Sequence, residues 1–592
     1  MTKAESPPEK RIATGVVVLA ALAGPLLAWD HARLDSATMD EPFHALSSAE
    51  YAASGTYFAN IEHPPLAKLL AGFSMTLAGA RPPRIPQPFE IRTAEQPREF
   101  LYGNDIPAQS ILRAGRLPFV LVFGLFVLLA GAVVARLATP AAGAVAAVLL
   151  AFEPTHVAHA GALHTDLLAS FFFVLTLALF LAALARVSAH RSCWAPFAAA
   201  GLALGLACSA KFSCVFLVPC VVLVGLFAAL KAPEGSRRSR VLLGLGLSLG
   251  TSVIGLLGPY ALALRNMTPA GQEGAIRLFL EGRIAPEPTI ERVLSVARAL
   301  PPLGHYVAGL TGIAQQNDYG GGVNFLCGRL SVDGFWNYFL VAFFVKSALG
   351  VLALLLGALV LTFARRGEPF DLPVAALSGT AAFLFLQAST ASYNIGVRHI
   401  LPSMALLLLA GVVVLSRALP RRAFLLVGGL CALVTMIETG LVHPFEISFF
   451  NAAAGGPANG ERWLNDSNLD WGQDLLRARS ELERRGLTNG VLVAYFGGAD
   501  PSREVPFAWI FEPGRPAFPP GTYAVSSFLE HVGPALLVRL SRERDAQGLA
   551  QLLDVLRRRG QRIGRVGYSI HLYRVAPEGA PPQAGPPPAG VP

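Results

Sequence analysis

"GRLPFVLVFGLFVLLAGAVVARLATPAAGAVAAVLLAFEPTHVAHAGALHTDLLASFFFVLTLALFLAALAR", residues 115–186, holds three apolar runs in succession. The runs lie near 115–137, 139–157 and 165–186. Arg136 follows the first, and a His/Asp-rich connection separates the second from the third. A hydrocarbon core needs about 20 apolar residues per helix, so each run reads as a membrane-crossing helix, the middle one being the weakest.

The same test applied outward from this stretch adds candidates near 12–30, 195–209, 212–230, 241–264, 336–363, 371–390, 400–416 and 422–441, about eleven transmembrane helices in all. Composition agrees. The 592-residue chain is 53% hydrophobic and 15% charged, where soluble chains carry about 25% charged residues. A net charge of +9 raises nucleic acid as a partner, but the basic residues fall mostly in short breaks between apolar runs, which excludes that reading. The six cysteines show no CxxC pair and lie mostly in apolar runs, as small buried hydrophobes do. The basic, then apolar, N-terminus lacks a small-x-small cleavage site before Asp30 and reads as a retained first span.

Charge sets the sidedness. With the N-terminus cytoplasmic, Arg136, "RVSAHR" (186–191), "KAPEGSRRSR" (231–240), "ARRGEP" (364–369) and "SRALPRR" (416–422) all fall on the cytoplasmic side, as the positive-inside rule requires. The 31–114 and 265–335 loops, "EPTHVAHAGALHTD" (153–166), Lys211, "SYNIGVRH" (392–399) and everything after 442 are then external. In the first loop, "PFHALSSAEYAASG" and "PLAKLLAGFSMTLAGA" read as helices lying in the interface. The domains follow: a membrane domain at 1–441 and an external α/β domain at 442–575. In the latter, "DLLRARSELERRG" is helical and "GVLVAYFGG", "GTYAVSSF" and "YSIHLYRV" are strands. The Pro/Gly/Ala-rich tail at 576–592 is expected to be disordered. The localisation implied is a multi-pass protein of the inner (plasma) membrane.

Polar residues that carry chemistry collect on the external face. Asp40-Glu41 stands just beyond the first span, where a carboxylate can take a proton from a hydroxyl nucleophile; each is equally a hydrated loop acid when read alone. His63-Pro64-Pro65 fixes the direction of the chain near that loop and suits a helix start. Glu153, His156, His159, His164 and Asp166 crowd one boundary. His156 and His159, at i,i+3, share a helix face and suit either a divalent ion or the commoner duty of capping. Asp166 heads an apolar span, where an acid is expensive unless it faces a cavity. Arg116, Lys211 and Arg398-His399 sit at external span ends. They read as headgroup-snorkelling cations or as a pocket for a lipid phosphate.

In order along the chain, "DEPFH…Y…EHPPLAKLLAG", "AGRLPFVLVFG", "PTHVAHAGALHTDLLASFFFVL" and "AKFSCVFLVP" resemble the protein O-mannosyltransferase-like branch of the C-type glycosyltransferases. "GRLSVDGFWNYFLVAFFVKSALG", "YNIGVRHILP" and "HPFEISFFNAAAGGPANGERWLNDSNLDWGQDL" resemble its bacterial phospholipid-carrier-dependent members. The resemblance covers most of residues 30–475. It implies a C-type glycosyltransferase fold and an inverting transfer of a sugar from a polyprenyl-phosphate carrier to a hydroxyl acceptor (protein, lipid or cell-envelope glycan) on the outer face. The implied partners are the lipid-linked sugar, that acceptor and the bilayer. By motif, Asp40 resembles the catalytic base, Glu41 an acceptor-contacting acid, and Asp166 the second external acid. Arg116 and Lys211 resemble donor-phosphate contacts, with Arg398 a third cation of smaller effect; His63 and His399 position the acceptor or the loops. No cofactor is required, with a divalent cation at His159 and Asp166 as the other way to neutralise the phosphate. The rival functions are a lipid-linked-sugar transporter or flippase, whose site belongs near the midplane, and a noncatalytic envelope assembly protein.

Overall fold

The structure, a computed structural model, describes residues 6–83, 85, 94–232, 235–319, 322–364, 371–514 and 518–577. The expected tail therefore lies outside the described residues apart from Ala576 and Pro577. Parts of the 31–114 loop and of the "KAPEGSRRSR" and "ARRGEP" connections lie outside them too.

Helix α1 (Pro7–Ala32) starts in a capping box, with Glu9 accepting from the Ser6 N–H at 2.8 Å. The first loop folds into α2 (Glu41–Ala49), a π-helical turn at Glu50–Ser54, α3 (Pro65–Leu77) and α4 (Glu95–Tyr102). Then come α5 (Ala108–Leu137), α6 (Pro140–Phe152), α7 (Pro154–Ala160), α8 (Asp166–Ser188) and α9 (Trp194–Ala210). A 3-10 turn, Phe212–Phe216, runs into α10 (Leu217–Lys231), followed by α11 (Ser236–Ala263). The 265–335 loop is itself built of α12 (Pro269–Glu281), α13 (Glu287–Ala299), α14 (Pro301–Tyr319) and a hairpin of β1 (Asn324–Leu326) and β2 (Arg329–Ser331). The remaining membrane helices are α15 (Tyr338–Lys346), α16 (Leu349–Ala364), α17 (Leu372–Ser389), α18 (Leu401–Ala418) and α19 (Arg421–Val442).

Every expected span is helical, but they are not equal. Among the described residues, eight segments are long and apolar enough to cross a membrane, and two more do so only as bent pairs. Helix α9, at 17 residues, is the short one. It packs against α11 through Gly201, Gly205 and Gly255; a Cβ at Gly205 would come within 1.9 Å of the Ser252 carbonyl oxygen. Small residues of this kind let backbones approach where lipid offers no hydrophobic drive.

The two bends build the site. Helices α6 and α7 meet at 62° and α15 and α16 at 114°. At the first, Glu153 caps α7 by accepting from the His156 N–H at 3.0 Å, with Pro154 at the first helical position. The second needs more help, because a broken helix inside a membrane frees backbone groups that water cannot reach. Asn451 Nδ2 donates to the Phe344 and Ser347 carbonyls, and Glu438 accepts from the Leu349 N–H at 2.6 Å. Lys346 Nζ reaches the Ile447 and Asn468 carbonyls at 2.9 and 2.6 Å. Thr155 joins one break to the other by donating to the Lys346 carbonyl at 2.7 Å.

Beyond α19, residues 443–474 run in short 3-10 turns and loop over the ends of the helices. Their backbone bonds the first loop directly: Ser36 N–H to the Gln473 carbonyl and Met39 N–H to the Trp471 carbonyl, both at 2.8 Å. Next comes α20 (Leu475–Arg484), the expected helix, and then a five-stranded sheet. The sheet order is β4–β3–β5–β7–β6, from β3 (Val491–Ala494), β4 (Trp509–Ile510), β5 (Gly521–Ser526), β6 (Gly560–Val566) and β7 (Ile570–Val575). Strands β3, β5 and β7 are the three runs read from the sequence. The charged β6 ("GQRIGRV") and the two-residue β4 were not visible there, since β6 has no apolar alternation to show. Burial of α2 differs from the interfacial helix expected: most of it lies under protein, with Gly72 of α3 packed on the Ser48 carbonyl. All six cysteines are free, and five are buried; Cys327 is exposed in the β1–β2 turn.

Candidate functional site

Asp40 and Glu41 are adjacent in sequence and face different worlds. Asp40 sits at the start of α2 and Glu41 is its first residue. Glu41 turns inward and is fully buried. Its two oxygens accept from Arg116 Nε at 2.7 Å, Arg116 Nη2, the Thr38 N–H at 2.9 Å and the Leu163 N–H at 2.9 Å. Arg116, 1% exposed, directs its remaining N–H groups to the carbonyls of Ala32, Asp35 and Ser36. All five guanidinium donors are thus committed inside the protein. This departs from the expectations that Arg116 contacts a donor phosphate and Glu41 an acceptor: the pair clamps the end of α1 to α5 and leaves neither side chain a hydrogen bond to give away.

Asp40 turns the other way. Its side chain is 35% exposed, and Oδ2 accepts from Arg398 Nη1 at 3.0 Å. His164 Nε2 lies 3.5 Å from the same oxygen and 2.7 Å from Arg398 Nη1. Behind this contact, Asp166 Oδ1 accepts from Lys211 Nζ, and Oδ2 lies against His164 Nδ1. His164 thus bridges the two acids. The folding logic is direct: Asp40 follows the end of α1, Asp166 begins α8, Lys211 ends α9, and Arg398 lies in the 3-10 turn leading into α18. Four helix ends meet on one side of the bundle.

Two more elements close the array. Trp471, from the 443–474 segment, is 1% exposed and packs beneath the Arg398 guanidinium, 4.5 Å from its ring centre, and against the rings of His164 and His159. The rings of His44 and His63 meet that of His164 edge-on, at centroid distances of 4.8 and 5.9 Å. The His63 carbonyl takes the Tyr57 hydroxyl at 2.8 Å, which fixes the 57–63 loop. The His399 ring lies 6.1 Å from that of Phe339, centre to centre.

Electrostatics separates the members. Burial alone would raise the Asp40 carboxyl, but Arg398 and His164 outweigh it and hold the group well below the ordinary carboxylate value, so it is ionised. Burial, with His164 and its other cationic neighbours, pushes His44 and His63 well below the usual imidazole value; both are neutral. Arg398 differs from Arg116 in one decisive respect. Among the described residues only its Nη1 has hydrogen-bonded partners, and its buried Nε has none.

Of the two readings open for the 153–159 segment, metal ligation and capping, the geometry around Glu153 and His156 is that of a cap. His156 Nδ1 pairs with the Glu153 carboxylate at 2.9 Å, and His156 is fully buried, so Glu153 and His156 cap α7. His159 packs on Trp471, while the oxygens of Asp166 face Lys211 and His164. Among the described residues, no group of three or more His, Cys, Asp or Glu is placed to hold a metal ion. Reasoning from sequence missed Trp471 and His44. Trp471 had a signal, a lone aromatic within the polar run "NDSNLDWGQD"; His44 had none beyond its place four residues after Asp40.

Residues 28–254 match the family model described as dolichyl-phosphate-mannose-protein mannosyltransferase. No curated protein matches the chain. Among solved structures, the apo Archaeoglobus fulgidus oligosaccharyltransferase aligns over 98% of this chain and 76% of its own, at 14% identity and a TM-score of 0.50. ArnT from Cupriavidus metallidurans, bound to undecaprenyl phosphate, aligns over 96% of this chain and 100% of its own, at 13% identity and a TM-score of 0.48. The S. cerevisiae protein O-mannosyltransferase Pmt1-Pmt2 complex, bound to its sugar donor, aligns over 44% of this chain at 20% identity and a TM-score of 0.35. This chain spans about a third of that relative, 34% of its length. The chain has the C-type glycosyltransferase fold, its alignment with the oligosaccharyltransferase running over nearly its whole length, with a small sheet domain at its own C-terminal end, and the sequence resemblance to the mannosyltransferases is met over residues 28–254.

Proposed function

We propose that this protein moves a sugar, with inversion, from a polyprenyl-phosphate carrier to a hydroxyl acceptor on the outer face of the inner (plasma) membrane. The observation that carries the reading is the Asp40–Arg398 pair: a carboxylate one-third exposed, joined to a cation whose Nε has no partner among the described residues, where four helices end. Lys211 and Asp166 stand directly behind it.

In this reading Asp40 is the base. It takes the proton of the acceptor hydroxyl as that oxygen bonds to the anomeric carbon. The bond from that carbon to the phosphate oxygen breaks, and its electron pair leaves with the lipid phosphate. Arg398 receives the developing charge, supported by Lys211. A phosphate arriving at Arg398 also competes with Asp40 for the guanidinium. Donor binding then weakens the contact that holds the Asp40 carboxyl so acidic and raises its proton affinity when a base is needed. Asp166 and His164 are positioning residues in this scheme, holding Lys211 and Arg398. Charge neutralisation is assigned to these cations rather than to a divalent ion. The placement of Lys and Arg in the short connections supports an external site.

The test uses purified protein in lipid nanodiscs with a panel of undecaprenyl phosphates carrying different sugars. The expected result is release of free undecaprenyl phosphate and a glycosylated or hydrolysed product from one of them. If the sugar-lipid crosses the bilayer of proteoliposomes unchanged, the reading gives way to a flippase; if the protein neither converts nor moves it, to a noncatalytic assembly protein.

A further inference from the structure

Asn465-Asp466-Ser467-Asn468 has no part in the acid–cation array, yet it holds the backbone that carries Arg398. Ser467 Oγ donates to the Ile395 carbonyl at 2.7 Å, and Asn468 Oδ1 accepts from the Val397 N–H at 2.9 Å. Asn468 Nδ2 donates to the Tyr338 hydroxyl at 2.8 Å, and Asn465 ties the turn to Ser527 of the C-terminal domain. Gly396 leaves room for this approach, since a Cβ there would stand 2.1 Å from Ser467 Oγ.

Asp466 is the odd member. Its φ of +57° lies in the left-handed region, which is uncommon for a residue with a side chain, and such strain gathers where function demands it. Ser467 N–H donates to its Oδ1 at 2.6 Å, the sole donor to the carboxyl among the described residues. Gly would meet the backbone requirement at least as well, and Asn would keep the turn's hydrogen bond without placing an acid here. The charges that act on Asp466 are those of Arg398 and Asp40, and Asp466 in turn acts on Tyr393. An acid that the turn itself does not require thus shares the space of the proposed base and the phosphate-binding cation.

We infer that Asp466 is a substrate contact, hydrogen-bonding a hydroxyl of the transferred sugar. The inference rests on the glycosyl-transfer reading. There the anomeric carbon lies between Asp40 and a phosphate on Arg398, and the turn that carries Asp466 is bonded to the backbone just before Arg398, which puts this acid within reach of the ring's hydroxyls. Burial, with Asp40 adding to it and Arg398 opposing, pushes the Asp466 carboxyl up to about 7. Near neutral pH it can therefore either accept a hydrogen bond from a sugar hydroxyl or donate one.

The test compares binding of bare undecaprenyl phosphate with undecaprenyl phosphates carrying a neutral hexose, an N-acetylhexosamine, a neutral pentose or an aminopentose. Full-length wild type, Asp466→Gly and Asp466→Asn are each measured in nanodiscs, with melting temperatures as the folding control. Wild type is expected to prefer one sugar-lipid over the bare lipid. Asp466→Gly should bind the bare lipid as wild type does and lose that preference about tenfold or more, with Asp466→Asn between the two, since an amide can replace part of the bond. If the Gly variant fails to fold, the Asn variant decides, with a fall of about threefold expected. A wild type without sugar preference, or folded variants that keep it, overturns the assignment alone. A wild type that binds none of these lipids overturns the glycosyl-transfer reading and this assignment with it.

Discussion

Replacing Arg116 by Ala removes five N–H donors from a site that water does not reach. Glu41 keeps only the Thr38 and Leu163 N–H groups, and the Ala32, Asp35 and Ser36 carbonyls lose the guanidinium that holds them. Breaking a buried ion pair by deleting one member costs about 3–5 kcal/mol, against a total stability of about 5–15 kcal/mol for a folded domain. Arg116→Lys keeps the charge but replaces a planar five-donor fork by three donors on one nitrogen, which cannot span Glu41 and three carbonyls; a smaller loss is expected. Unfolding is followed in detergent for Arg116→Ala, Glu41→Gln and the double variant. The double should be destabilised by less than the sum, as residues of one network are. Binding of undecaprenyl phosphate, per folded molecule, should change by no more than a few-fold. The reasoning is refuted if Arg116→Ala melts within about 2 °C of wild type and loses lipid binding about a hundredfold. That outcome would return Arg116 to the phosphate pocket.

Asp40→Asn should abolish transfer while leaving donor binding largely intact, whereas Arg398→Ala should weaken donor binding and slow transfer about a hundredfold; single-turnover assays beside lipid binding separate the two, and activity is expected to survive a chelator. Burial pushes the Asp470 carboxyl up to about 7, against the hydrogen bonds it accepts from Ser526 and the Phe528 N–H. The folded state then holds a proton that the unfolded chain releases near pH 4. The stability so gained is full below that pH, declines at up to about 1.4 kcal/mol per pH unit and is gone above about 7. Asp470→Asn should flatten the fall in melting temperature between pH 4 and 7, and an unchanged slope would remove Asp470 from this role. For sidedness, single cysteines in a cysteine-free background belong at exposed positions 544 and 239. Position 544 should label from outside and 239 only from the cytoplasm, and labelling of both from outside would relocate the site.

The sequence by itself determined which segments are helical in the membrane domain, because runs of about 20 apolar residues have one low-energy state in hydrocarbon. It also placed the residues of the proposed site at one end of the bundle, since Asp40, Asp166, Lys211 and Arg398 all fall at the ends of such runs. What it did not contain is direction. Asp40 and Glu41 are equivalent as letters, and only the turn into α2 sends one to Arg398 and His164 and the other to Arg116. Arg116 and Arg398 are equally cationic and equally terminal; only the tertiary structure distinguishes them, with five donors committed in Arg116 and, among the described residues, Nη1 alone partnered in Arg398. Residues 443–474 read as the start of a separate domain, yet they pack onto the site, because Asn451 satisfies the Phe344 and Ser347 carbonyls at the bend near 347, the Ile447 and Asn468 carbonyls receive Lys346, and Trp471 lies under Arg398. Long-range satisfaction of this kind has no period and no local composition. It exists only once helices distant in sequence have brought their ends together.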